Sequence, residues 1–397
     1  LQPNPSLQDH EETGLPLSKR SEIASFVVMD VMRQAFERER SGGNIIHMEV
    51  GQPATPAPRF AREAIKSAVD RDVLGYTDAL GIPELRERIS RYYKERHDLE
   101  IGPERIAVTA GSSAGFVLAF LALFDTGAPL YLPEPGYPCY RNIASALGLM
   151  PVRIEVGPEE RWMPDTSLLD RAVAQHGPGG GILFASPANP TGTMMQPETL
   201  AAICQWCRGN GITVISDEIY HGLTYSQPAE TALRFHDGAI VINSFSKYYS
   251  MTGWRVGWMV MPEALVRTIE RLAQNFFISA NAAAQVGALA ALDAVEELEA
   301  NKAVYARNRA MLMEELPRAG FMKLAPADGA FYIYADISDR TDDSRAFASR
   351  ILDELGIAIT PGVDFDPVRG HRFLRFSYAG SFDAMREAAS RLQNWKG

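Results

Sequence analysis

Four short stretches of this chain carry side chains with usable chemistry. Ala110-Gly111-Ser112-Ser113 opens an apolar helical run. Small residues at a helix start leave backbone N–H groups free, and the helix dipole favours an anion there. Gly111, Ser112 and Ser113 could therefore cradle a phosphate, or simply cap the helix. Ser186-Pro187-Ala188-Asn189-Pro190-Thr191-Gly192 offers an amide, and Ser216-Asp217-Glu218-Ile219-Tyr220 a carboxylate beside a phenol. Asp217 closes an apolar run, where a carboxylate calls for a cationic partner. That partner could be a structural salt bridge or a protonated ring nitrogen of a ligand. Ser244-Phe245-Ser246-Lys247 follows another apolar run, with Arg255 eight residues after the lysine. A lysine partly desolvated among aromatic residues has a lowered pKa and becomes nucleophilic enough to form an imine. The competing reading is a solvated lysine at a strand end. Taken together, the four stretches describe one site with a phosphate cradle and an ionisable lysine.

The elements that must position these residues follow from the rhythm between them. From about residue 100, short β-rich runs alternate with helical segments, at 105–109, 130–132, 152–156, 182–184, 213–216, 240–243 and 256–261. Their apolar runs are continuous, as in strands buried on both faces. Helical periodicity is clearest at 114–124 and 197–208. The alternation predicts an α/β fold, with a large domain over 51–285 built on a mostly parallel, about seven-stranded sheet sandwiched by helices. In such a sheet ligands bind outside the carboxyl ends of the strands, and all four stretches fall there. After about residue 290 the pattern changes to a long helix near 286–316 and a run at 331–335. A helix capped near Asp342 and Asp343 then ends at Gly356, runs follow at 357–360 and 373–377, and Ser381 opens a last helix. This predicts a smaller α+β domain made from 1–50 and 286–397, its first twenty residues forming an arm.

These motifs resemble the class I/II aminotransferases of pyridoxal 5′-phosphate (PLP) fold type I. The resemblance is carried by Ser186-Pro187-x-Asn189-Pro190-Thr191-Gly192, by Ser216-Asp217-Glu218-Ile219-Tyr220, and by Ser244-Phe245-Ser246-Lys247 running on to Met251-Thr252-Gly253-Trp254-Arg255-Val256-Gly257. It extends from about residue 20 to the C-terminus. It implies that Lys247 holds the cofactor as a Schiff base and that Asp217 pairs with the pyridinium nitrogen, tuning the ring's electronics. Asn189 and Tyr220 would hydrogen-bond the phenolic oxygen, and Gly111, Ser112, Ser113, Ser244, Ser246 and Arg255 the phosphate. Tyr137, in Pro135-Gly136-Tyr137-Pro138, matches the aromatic that stacks on the ring. Tyr76 matches a tyrosine reaching the neighbouring subunit's phosphate, which implies a homodimer with shared sites. Arg375, in Phe373-Leu374-Arg375-Phe376-Ser377-Tyr378, matches the arginine that grips the substrate α-carboxylate, and its planar fork suits that task. Gly51 and Pro53 match a loop closing over the substrate. The segment Pro361-Gly362-Val363-Asp364-Phe365-Asp366 departs from the pattern, which has Gly after Phe, and this puts the local loop shape in question.

Composition removes other classes. With 46% hydrophobic and 22% charged residues, the chain reads as an ordinary soluble globular protein. A net charge of −10 gives no footprint for nucleic acid or an anionic membrane. The longest apolar run, 116–124, is about half a membrane span. Neither a nucleotide P-loop nor G-x-G-x-x-G is present. With no leader pattern and only Cys139, Cys204 and Cys207, a cytoplasmic location is expected. Cys204-x-x-Cys207 lies inside a helical run without a second pair, so a metal or redox site is not expected.

The expected reaction is amino transfer between an amino acid and a 2-oxo acid. A C–S β-lyase, decarboxylase or synthase of the same fold stays open, since bond choice rests on substrate orientation. A PLP-binding regulatory domain would need a helix-turn-helix for which the chain has no room. Dicarboxylate-specific members use a second arginine, and Phe277-Ile278-Ser279-Ala280-Asn281-Ala282 holds none. A neutral substrate, aliphatic or aromatic, is therefore expected, with Phe26 and Phe331-Tyr332 facing its side chain.

Overall fold

The computed structural model describes residues 17–396. Most of the expected N-terminal arm thus lies outside the described residues. In chain order the first half comprises α1 (Val27–Arg40), β1 (Ile46–Met48), α2 (Arg59–Arg71), α3 (Pro83–His97), β2 (Ile106–Thr109), α4 (Ser112–Leu123), β3 (Pro129–Glu134), α5 (Pro138–Ala146), β4 (Met150–Glu155), α6 (Thr166–His176) and β5 (Gly181–Ala185). There follow α7 (Pro197–Asn210), β6 (Thr213–Asp217), β7 (Ile240–Ser244), β8 (Gly257–Val260), α8 (Glu263–Phe276), α9 (Ala282–Ala291) and α10 (Val295–Arg318). The C-terminal part holds β9 (Lys323–Leu324), β10 (Tyr332–Asp336), α11 (Ser344–Leu355), β11 (Ile357–Pro361), β12 (Phe373–Ser377) and α12 (Phe382–Gln393).

Seven strands form one sheet in the order β2-β8-β7-β6-β5-β3-β4. The pairs among β3 to β7 are parallel, whereas β8 runs antiparallel to both β2 and β7. The continuous apolar runs are explained by burial on both faces. On β5, Ile182 and Phe184 pack toward α3 and α7, while Leu183 packs toward α4 and α5. The reversal of β8 has a functional consequence. Its first residue, Gly257, pairs with Ser244 at the end of β7 and Thr109 at the end of β2, so Arg255 enters the sheet edge where the parallel strands end.

A second sheet of five strands runs β1-β11-β12-β10-β9. Here β1, from the N-terminal part of the chain, lies parallel to β11, and the remaining pairs are antiparallel. Asp343 and Ser381 cap α11 and α12 through their side chains, as their positions suggested. The helix expected over 286–316 is instead two. Arg88 donates to the Leu292 carbonyl at 3.2 Å and to Asp293 Oδ1 at 2.9 Å, holding open a turn between α9 and α10. Residues 292–294 show no breaker, so periodicity could not reveal a turn made by a side chain from α3. Cys204 and Cys207 are buried in α7, and burial pushes both thiols up to about 12. Among the described residues no helix is long and apolar enough to cross a membrane.

Asp366, the departure noted in the sequence, is buried and has work to do. It accepts from the backbone N–H groups of Val368 and Arg369, both at 3.0 Å, and from Arg369 Nε at 2.8 Å. Arg369 in turn donates to the carbonyls of Glu134 and Val156 at the ends of β3 and β4. The aspartate thus ties this loop to the larger sheet.

Candidate active site

At the edge of the larger sheet, Lys247 lies one turn past β7, and its Nζ donates to the Gly51 carbonyl at 2.6 Å. Burial, helped by the charges of Arg375 and Arg255, pushes the amine down to about 8, against the pull of Asp217. Asp217, the last residue of β6, is 3% exposed, and that burial lifts its carboxyl to about 6. Its Oδ1 accepts from the Ile219 N–H at 3.0 Å and its Oδ2 from the Tyr140 hydroxyl. Among the described residues, no cation stands within ion-pair distance of it. Tyr220, one turn on, is buried with its hydroxyl 2.7 Å from that of Tyr332.

The polar cradle lies beside these groups. Gly111 caps α4 at φ 76°, and no side chain bonds the first turn of that helix. A Cβ on Gly111 would lie 2.4 Å from a terminal nitrogen of Arg255, so glycine lets the guanidinium close on the helix start. Ser244 donates to the Ser246 hydroxyl at 2.9 Å. Arg255, itself left-handed at φ 52°, donates to the Thr252 carbonyl at 3.0 Å and makes no ion pair among the described residues. Backbone N–H groups, two hydroxyls and an uncompensated guanidinium therefore converge, with Ser112 and Ser113 at the helix start.

Arg375 projects from the middle of β12 and is 2% exposed. Its Nη1 donates to Asn189 Oδ1 at 2.8 Å and its Nη2 to the Glu49 carbonyl, while Nε has no partner among the described residues. The guanidinium lies between the rings of Tyr332 and Phe365, at 4.4 and 4.6 Å from their centroids. A buried cation held by neutral oxygens and aromatic faces is chemically suited to bind an anion. Gly51 must lack a side chain, because a Cβ there would sit 1.8 Å from the Tyr332 hydroxyl.

The remaining expected residues divide. Tyr137, at the start of α5, meets Phe26 edge-on at 5.8 Å and belongs to the cluster. Tyr76 makes no contact with these groups within this chain, and its side chain is 85% exposed. Several participants went unseen in the sequence. Tyr140 follows Tyr137 by one helical turn, a spacing that could have shown it. The carbonyls of Glu49 and Gly51 carried no signal, since any residue would present one. Asp364 was quoted only as part of a departing loop. Its carboxylate accepts from the N–H groups of Val27 and Val28 at 3.1 and 3.2 Å, fixing the start of α1 beside Phe26.

A mixed sheet of this order, with a lysine, a buried carboxylate and an anion cradle along one edge, defines a PLP-dependent transferase of fold type I. The chain belongs to the class I and II aminotransferases, whose family model matches residues 43–392. It is 46% identical over 380 residues to the valine–pyruvate aminotransferase of Mycobacterium tuberculosis, covering 95% of this chain and 97% of that one. The solved structure of an aminotransferase from the same organism superposes with a TM-score of 0.93 at 45% identity, covering 96% and 99% of the two chains. The Thermus thermophilus aspartate aminotransferase with maleate gives 0.89 at 29% identity, again covering 96% and 99%. Members of the family use PLP, and this protein is an enzyme that moves an amino group between an amino acid and a 2-oxo acid.

Proposed function

We propose that the amino donor is a neutral amino acid, aliphatic or aromatic, and that the residues of the sheet edge divide the work as follows. The donor set fits PLP: an anion cradle for its phosphate, a buried carboxylate without a cationic partner for its ring nitrogen, and a low-pKa amine for its aldehyde. Gly111, Ser112, Ser113, Ser244, Ser246 and Arg255 would hold the phosphate with charge-assisted bonds. Asp217 would keep a proton on the pyridine nitrogen, Asn189 and Tyr220 would bond the phenolic oxygen, and Tyr137 would cover the ring. When bound, the cofactor supplies an electron sink for charge developing at the substrate Cα.

The chain's own residues do the rest. Arg375, with Asn189 beside it, binds the substrate carboxylate and fixes the direction of the Cα–H bond. Lys247 takes that proton and redelivers it, for which an amine pushed down to about 8 is better matched than an ordinary lysine. Gly51, whose carbonyl bonds Lys247, lines the entry.

The observation that carries the substrate reading is the company Arg375 keeps. Around it stand Tyr332 and Phe365; Arg255 is assigned to the phosphate, and two further arginines have partners of their own. Arg141 donates to the Asp364 carbonyl at 2.5 Å, and Arg33 pairs with Asp30 at 3.1 Å. A second carboxylate would be buried without a cation, at a cost of several kcal/mol. The relative named for valine and pyruvate supports the same reading. Single-turnover loss of the bound cofactor's visible absorbance should be at least about a hundredfold faster, in kcat/KM, with valine, alanine or phenylalanine than with aspartate. Aspartate reacting fastest would refute it. A homodimer sharing its sites through Tyr76, and a large domain over 51–285 beside a smaller one from 1–50 and 286–397, belong to the same proposal. So does a cytoplasmic location, in keeping with three unpaired cysteines.

A further inference from the structure

Tyr332 opens β10, opposite Ser377 on β12. Its side chain is buried and touches three separate parts of the site. The hydroxyl lies 2.7 Å from that of Tyr220. The ring carries the Arg375 guanidinium 4.4 Å from its centroid. The hydroxyl also fills the space a Gly51 side chain would need, and the Gly51 carbonyl accepts from Lys247 at 2.6 Å.

Each phenol has one proton to give. A Tyr220 hydroxyl that donates to the cofactor's phenolic oxygen has spent its proton, so toward Tyr332 it can only accept. The bond between the two tyrosines then has one direction, from Tyr332 to Tyr220. We propose that Tyr332 is a positioning residue with two functions: its O–H makes Tyr220 a stronger donor to the phenolic oxygen, and its ring holds Arg375 in register for the substrate carboxylate. This rests on the cofactor reading given above and extends it to a residue that touches neither the phosphate nor the ring nitrogen. Hydrogen bonds in series polarise one another, each strengthening the next by about 10–30%. A phenolic oxygen held more firmly keeps its negative charge better, so the nitrogen of Lys247 joined to the cofactor loses its proton at lower pH. Other charged and titratable groups face this pair, namely Arg375 from β12, Asp217 at the end of β6, and the phenols of Tyr137, Tyr140 and Tyr378, while Arg255 faces Lys247. All of them stay in place when the Tyr332 hydroxyl alone is removed.

The experiment is a spectrophotometric pH titration of the holoenzyme, with KM measured on the same preparations. Tyr332→Phe keeps the ring and removes the O–H. Its titration midpoint should rise by about 0.3–0.6 pH units, with KM for the amino acid unchanged. Tyr332→Leu removes the ring too, and should add a rise in KM of about tenfold. In a Tyr220→Phe background the chain of donors is already cut, so Tyr332→Phe should add no further shift, a non-additivity that a merely structural tyrosine would not produce. A Tyr332→Phe midpoint equal to wild type, or full additivity with Tyr220→Phe, overturns the donor chain. An unchanged KM in Tyr332→Leu overturns the role of the ring. The cofactor reading itself is checked by Lys247→Ala. If that variant kept the wild-type visible absorbance, the assignment of Lys247 would fall first and this inference with it.

Discussion

Asp217 is held in a place that suits the cofactor and costs the empty protein. An isolated buried carboxylate resists ionisation, and its rise from 3.8 to about 6 means that the folded chain keeps a proton the unfolded chain gives up. The stability of the cofactor-free protein therefore falls as pH rises from about 4 to 6, and above that range the loss is complete, at about 3 kcal/mol. Asp217→Asn should remove this loss. The amide oxygen can still accept from the Ile219 N–H, and the amide nitrogen can donate to the Tyr140 oxygen. Denaturant unfolding of the cofactor-free forms should show the variant more stable than wild type at pH 8, with the gap closing by about pH 4. The same substitution should slow single-turnover chemistry by orders of magnitude, because the ring nitrogen loses its anionic partner. Equal stabilities at pH 8 would mean that the burial of Asp217 carries no such cost. Residues like Asp217 and Lys247 were legible because one ends an apolar run and the other follows one closely, and their order along the chain repeats a family pattern. Tyr332 was named for facing the substrate, whereas its hydroxyl bonds Tyr220. That contact joins positions 112 residues apart, and no local pattern encodes it.

At the scale of elements, the end of β6 is braced from behind by a buried acid and an imidazole. His221 Nε2 stands 3.2 Å from the Ser186 carbonyl, which can only accept, so Nε2 carries the ring proton. Nδ1 is then a bare lone pair, 3.5 Å from Glu218 Oε2, and neither atom has a hydrogen-bond partner among the described residues. Two bare lone pairs at that distance would repel, so one of the two groups carries a further proton. Burial pushes Glu218 up to about 8 and His221 down to about 3, which places that proton on the acid. The other oxygen, Oε1, accepts from Ser216, Thr231 and the Ala232 N–H at 3.2, 2.9 and 3.0 Å. His221 fastens the Asp217–Tyr220 turn to the loop carrying Asn189, and Glu218 fastens it to Thr231 and Ala232. Glu218→Gln reproduces every donor and acceptor, whereas Glu218→Ala strands several buried groups at about 1–3 kcal/mol each. Thermal unfolding should find the alanine variant the weaker of the two at every pH. Because the acid is raised in the folded state, the glutamine variant should gain on wild type from about pH 4.5 upward, levelling off above about 8. A glutamine variant no better than alanine would contradict a protonated Glu218. The strands themselves could be read from the chain, since continuous apolar runs are what burial on both faces demands. The direction of β8 and the break between α9 and α10 could not, because pairing partners and a side chain from α3 decide them.

At the scale of the whole molecule, the surface bearing Tyr76 is apolar and open. Val73 and Tyr76 are 97% and 85% exposed, and Phe276 and Ile278 are 56% and 50% exposed. The two segments lie together, for the Thr77 N–H donates to Ser279 at 3.4 Å and Gln285 donates to the Thr77 hydroxyl at 3.0 Å. An apolar patch held rigidly at the surface marks an interaction site, and an isologous pairing of two copies would cover it twice over. Tyr76 would then complete the phosphate site of the neighbouring subunit, as its likeness to the family position implies. The prediction is complementation. Lys247→Ala lacks the reactive amine and Tyr76→Ala lacks the bridging phenol, so each variant alone should be impaired at both of its sites. In a mixed dimer one site has its own Lys247 together with Tyr76 of the partner subunit, and the other site has neither. After unfolding and refolding of equal amounts, half the dimers should be mixed and half of their sites whole. About a quarter of wild-type activity should then return. Activity no greater than the sum of the two variants, or full activity from a species that sediments as a monomer, would show that each chain builds its site alone.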